Sequence, residues 1–119
     1  MISSFGIVMR KIREVKKESL RTCATRLGVT APFLSGMEVG RKPIPSGYAE
    51  KIRDLYELSE DAYVELYNAI IETNEHVDIE IAKMNEAQKE VSMAFARKIE
   101  NADPELLEKL RKALSDDKN

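Results

Sequence analysis

The stretch RLGVTAPFLSGMEVGRK, residues 26–42, leaves the backbone few choices. Gly28 ends a short helix that starts after Ser19 and carries Leu20, Cys23, Ala24 and Leu27 on one apolar stripe. Glycine suits that position because it takes a left-handed backbone cheaply. Two residues later, Thr30 has the hydroxyl to cap a second helix, and Pro32 is tolerated in that helix's first turn. Leu34 and Met37 face inward, and Gly40 closes the helix at its C′ position. The punctuation predicts two short helices joined by a tight turn, around which the rest of the chain must pack.

Helical spacing continues on both sides. Phe5, Val8, Met9, Ile12 and Val15 form one stripe, with Arg10, Lys11, Lys16 and Lys17 on other faces and Ser3 or Ser4 as the cap. RKPIPSG is a connector, since two prolines and a glycine cannot continue a helix. Ser46 can cap a fourth helix carrying Tyr48, Ile52, Leu55 and Tyr56. Ser59, followed by Glu60 and Asp61 in a favourable first turn, opens a fifth with Tyr63, Leu66, Tyr67, Ile70 and Ile71, stopping at Asn74.

The period then changes. In EHVDIEIA, Val77, Ile79 and Ile81 alternate with His76, Asp78 and Glu80, which is a strand pattern. A lone strand has no sheet partner within the chain, so its backbone groups must be satisfied elsewhere. Either it pairs with its copy in a second subunit, the reading adopted here, or the segment is an irregular linker. Asn85 can cap a sixth helix bearing Val91, Ala94, Phe95 and Ile99. Asp103 and Pro104 start a seventh with Leu106, Leu107, Leu110 and Leu114. SDDKN reads as a frayed, solvated tail. The expected class is mainly α: five helices over residues 1–74, then a short strand and two helices over 75–119 for dimerisation and partner binding.

A length of 119 residues, 43% hydrophobic and 34% charged, fits a helix-rich protein with a real core and argues against disorder or a disulfide scaffold. No window approaches a membrane span, the opening residues lack the charge order of a secretory leader, and the single Cys23 cannot form an internal disulfide. These point to a cytoplasmic protein. The net charge of −2 hides a division: residues 1–57 hold eleven Lys/Arg against six Asp/Glu, whereas residues 58–119 hold eight against fifteen. A basic front half suits a polyanion; an acidic back half does not.

Residues 5–58 resemble the phage-repressor-like (Xre-type, Cro/repressor) helix-turn-helix domains. Met9, Ile12, Arg13, Ala24, Leu27, Gly28, Val29, Thr30, Leu34, Ser35, Glu38, Gly40 and Arg41 carry the likeness. Ala24 is small enough for two helices to cross closely, Gly28 supplies the turn, and Val29 plugs the gap beneath it. The resemblance implies a lambda-repressor-like five-helix bundle and a homodimeric, sequence-specific transcriptional regulator, a repressor, of double-stranded DNA. It implies that Arg13 pairs with Glu38 as an orienting device. It also turns Thr30, Ala31, Pro32, Phe33, Ser35 and Gly36 towards the major groove. None of these six has the bidentate fork of Arg, Asn or Gln. Ala31, Phe33 and the Thr30 methyl suit thymine methyls, Ser35 suits a base edge or a phosphate, and Gly36 suits close backbone approach to the duplex. Phosphate contacts then supply most of the affinity, with Lys17, Arg21, Arg41 and Lys42 as the candidates.

Cys23 reads as a buried inert thiol and His76 as a surface residue, and one Cys with one His makes no metal site of the usual spacing. Glu60/Asp61 and Asp116/Asp117 read as a helix start and a solvated tail, and the four tyrosines as core. No catalytic set and no cofactor are expected. A rival reading is an antitoxin-like or protease-sensed interaction module, whose acidic back half meets another protein.

Overall fold

The computed structural model describes residues 1–115; the tail expected at 116–119, with Asp116 and Asp117, lies outside them. The chain is mainly helical and divides into two compact units, Met1–Val77 and Asp78–Asn119. The first holds α1 (Ser4–Lys16), α2 (Leu20–Leu27), α3 (Ala31–Glu38), α4 (Tyr48–Tyr56) and α5 (Glu60–Asn74). The second holds α6 (Glu86–Lys98), a short 3-10 turn (Ile99–Asn101) and α7 (Pro104–Ala113). No described helix is long and apolar enough to cross a membrane.

Local chemistry sets most of these boundaries. The hydroxyls of Ser3, Ser19, Thr30 and Ser59 accept from the backbone N–H groups of Gly6, Thr22, Phe33 and Ala62 at 3.0, 3.0, 3.2 and 3.2 Å. Each thereby satisfies a donor that the first turn of its helix leaves unpaired. Asn85 and Gln88 form a reciprocal capping box at α6, and Asp103 caps α7 with Pro104 behind it. Gly28 ends α2 at φ 77°. Ser46 does not cap α4: Gly47 occupies that position at φ 82° with no side-chain cap. The PSG turn needs a left-handed residue where it enters the helix, and only the glycine provides it without strain.

One core fills the first unit. Phe5 and Met9 of α1, Leu27 of α2, Leu34 and Met37 of α3, Ile52 and Tyr56 of α4 and Leu66 of α5 are essentially buried in it. The α1 helix binds both ends of this arrangement. Ser3 N–H and Oγ both donate to the carbonyl of Glu38, at 2.8 and 2.9 Å, holding the start of α1 to the end of α3. Phe5 N–H donates to Thr73 Oγ1 at 3.0 Å, holding it to the end of α5. Asn74 then reaches the connector: its Oδ1 accepts from Ile44 N–H at 2.9 Å and its Nδ2 donates to Ile44 O at 3.0 Å.

The strand expected at Val77, Ile79 and Ile81 is not formed. Residues 76–81 carry no regular secondary structure, and among the described residues no strand exists for them to pair with. Val77 and Ile79 are exposed by 59% and 48%, and Ile81 is half-buried. Alternation alone cannot hold a strand whose ladder has no partner, so the single chain keeps the segment as an irregular linker. The second unit has no buried side chain in α6 or α7.

Candidate nucleic-acid interface

Arg13 and Glu38 form a buried, two-point pair in the first unit. Arg13 Nη1 donates to Glu38 Oε2, and Nη2 donates to Oε1 at 3.1 Å. Burial by itself would lower the Arg13 pKa, but the hydrogen bonds and charge of Glu38 outweigh it and hold the guanidinium above its ordinary value. Glu38 is the last residue of α3, and its carbonyl receives Ser3. Side chain and backbone of one residue thus fix the end of α3 to two points on α1.

The start of α3 is left open. Thr30 and Pro32 are exposed, and Ala31, Phe33 and Ser35 are half-buried. Ala31 and Phe33 pack against the core, so each shows only part of its surface outward. Gly36 departs from the expected role. It is buried, and a Cβ built on it would lie 3.2 Å from Cγ and Cδ of Lys42 and 3.3 Å from Cε. The stem of Lys42 therefore covers the site where a duplex backbone was expected to approach. The Lys42 ammonium stands 5.8 Å from the centre of the Phe33 ring, within cation–π range.

The cations of the basic half fall into two groups. Arg13 is buried with Glu38. Arg26 pairs with Glu18 at 3.4 Å, donates to Leu55 O at 2.9 Å and lies over the Tyr56 ring at 4.6 Å. Lys51 donates to Leu27 O, Lys11 pairs with Glu65, and Arg53 pairs with Asp54. These five are occupied by the fold. Lys17, Arg21, Arg41 and Lys42, like Arg10 and Lys16 of α1, are exposed, and none of these six enters an ion pair among the described residues. Lys17 and Arg21 flank the turn between α1 and α2, with Lys17 ending α1 at a left-handed φ of 58°. Arg41 and Lys42 leave α3 together, their N–H groups both bonded to Gly36 O at 2.8 and 3.2 Å.

Cys23 is buried, and burial raises its thiol above the ordinary value, as expected of an inert side chain. Tyr56 belongs to the core, whereas Tyr48, Tyr63 and Tyr67 are half-buried. Among the described residues, no group of three or more His, Cys, Asp or Glu is placed to hold a metal ion. In the second unit, Val91, Ala94, Phe95, Ile99, Leu106 and Leu110 line an open, almost wholly apolar groove of about 220 Å³.

No family model, no curated protein and no solved structure matches the chain.

Proposed function

We propose that this chain is a sequence-specific regulator of transcription, a repressor, that binds double-stranded DNA as a homodimer through a helix-turn-helix of the phage-repressor-like (Xre) type. In this reading α2 and α3 are the paired helices and α3 enters the major groove. The carrying observation is the partition of the cations. Five basic side chains are tied into the fold, while six are exposed and unpaired among the described residues, and four of these six bracket the α2–α3 pair along the chain. Unpaired surface cations at both ends of an exposed helix start suit phosphate groups on either side of a groove. Lys17, Arg21 and Arg41 are assigned to that task.

The open α3 face carries few polar groups, so one head gains little from direct base contacts. Two linked heads on a two-fold site raise each other's effective concentration, with half-sites roughly 34 Å apart. The test is binding of the full chain to duplex DNA across a salt series. Affinity should fall by about 0.9 log units per log unit of salt for each phosphate contact. Arg41→Ala should weaken all sequences alike and flatten that slope by about one contact per head.

The apolar groove of the second unit favours a second reading, in which the chain is chiefly an antitoxin-like or protease-sensed module that binds another protein. Such a module would show no salt-dependent duplex binding at all, and that result would end the regulator reading.

A further inference from the structure

We propose that Lys42, which belongs to the connector and not to α3, is the side chain that reads base edges, and that it reads a guanine in each half-site. The inference rests on duplex binding through the α3 face, as proposed above. That face brings little chemistry of its own: Ala31, Pro32 and Gly36 have no side-chain donor, and Thr30 and Ser35 have one hydroxyl each.

Lys42 makes up the deficit because three restraints hold it across α3. Its backbone N–H is bonded to Gly36 O at 3.2 Å, so the side chain starts from the same turn that it covers. Its stem lies on Gly36, where any Cβ would stand 3.2 Å from Cγ and Cδ. Its ammonium is drawn towards the Phe33 ring at 5.8 Å. A lysine meant only for a phosphate needs none of this, since a free stem reaches the backbone unaided. Restraint instead suits a contact whose geometry must be met each time, because less rotamer freedom is lost on binding. No carboxylate among the described residues pairs with the ammonium.

The choice of base follows from the donor count. An ammonium has three donors and no acceptor. It fits an edge that presents acceptors side by side, which in the major groove is guanine with N7 and O6. Adenine sets an amino donor beside its N7, cytosine presents an amino group, and thymine sets a methyl beside its O4. Gly36 is part of the device, since a Cβ there would press on the stem at 3.2 Å and push it outward by a few tenths of an ångström.

The experiment selects bound duplexes from a random pool with the full chain, then measures affinities on duplexes changed at single positions. The unaltered chain should prefer guanine at one position per half-site by roughly tenfold. Lys42→Ala should lose that preference and keep the others, while Lys42→Arg should retain it. Gly36→Ala should weaken the same preference through an intact Lys42, with helical content unchanged by circular dichroism. If Lys42→Ala weakens every duplex equally and leaves base preferences as they were, the lysine is a phosphate contact and the inference falls alone. If the unaltered chain binds no duplex, the functional reading falls first and takes this inference with it.

Discussion

A Cβ added at Gly6 would stand 2.2 Å from the carbonyl oxygen of Glu38 and 2.6 Å from Ile2 Cγ1. Backbone oxygen cannot yield as a flexible side chain can, so α1 would have to leave the end of α3. Gly6→Ala should therefore cost roughly 1–3 kcal/mol in urea unfolding, although alanine is the better helix former; unchanged stability would mean that α1 shifts freely. The buried Cys23 thiol, raised from 9.0, opens the alkaline limit, and two phenols extend it. Tyr63 donates to Glu50 at 2.6 Å and Tyr56 to Glu18 at 2.7 Å. The Glu50 hydrogen bond, then burial, pushes Tyr63 from 10.0 up to about 12, and burial, then Cys23 and Glu18, pushes Tyr56 above the phenol range. Both pKa values are raised over the unfolded chain, so their stabilisation is whole below pH 10; that of Tyr63 is lost as pH rises through about 12, and that of Tyr56 higher still. Melting temperatures taken from neutral to alkaline pH should begin to fall beyond about pH 9, where unfolded Cys23 ionises, and Tyr63→Phe should make the fall above about pH 10 shallower. At this scale the sequence is half legible. A cap such as Thr30 is a matter of a few neighbours and can be read directly, and the Arg13–Glu38 pair was reachable through a family resemblance. The role of Gly6 was not, because what a glycine faces 32 positions away leaves no mark in its neighbourhood.

Helices α1 to α7 follow the apolar spacing and the caps, because both are local: a period near four with a Ser, Thr, Asn or Asp at its head has few other outcomes. Where an element depends on a distant one, local reading fails. Ser46 and Gly47 are both turn residues, and the left-handed backbone of the PSG turn decides between them. The connector from α3 to α4 is held by Asn74, whose amide satisfies both backbone groups of the buried Ile44. In the sequence Asn74 is only a helix stop; its tie to Ile44 crosses 30 positions. Asn74→Ala strips a buried N–H and a buried carbonyl of their partners, which should cost about 2 kcal/mol. Hydrogen exchange should show faster exchange at Ile44 than at the core of α1, and equal protection at both would mean that other groups hold the connector. Lys42 leaves from this same connector, so its loosening should also blur any base preference at the α3 face.

For the whole molecule, the second unit poses a physical problem that the proposed dimer would answer. Two helices and a turn leave Val91 exposed by 68% and Leu114 by 69%, with Leu106 and Leu107 also exposed and an apolar groove between α6 and α7. Covering each such side chain is worth about 1.5–3 kcal/mol, more than a small helical pair can forgo. The charges along α6 suit a second copy. Glu86 and Glu90 flank Lys89 early in α6, and Arg97 and Lys98 lie late, so an antiparallel two-fold pairing sets a net −1 against +2 at each end. The alternation at residues 77–81 pointed to the same partner by another route, which the single chain does not take. The two routes separate under mutation. If the proposed dimer closes on the groove, Val91→Asp with Leu106→Asp should give monomers in sedimentation while Ile79→Asp keeps the dimer, since the groove residues and not the linker would then bury the apolar surface. If Ile79→Asp alone dissociates the protein, the linker becomes a strand on association and the groove is free for another protein. The monomeric double variant should keep a folded first unit, since no described residue of that core comes from α6 or α7. Its duplex affinity should drop by about 100-fold or more, while each head keeps its own salt slope, because what is lost is effective concentration and not a contact.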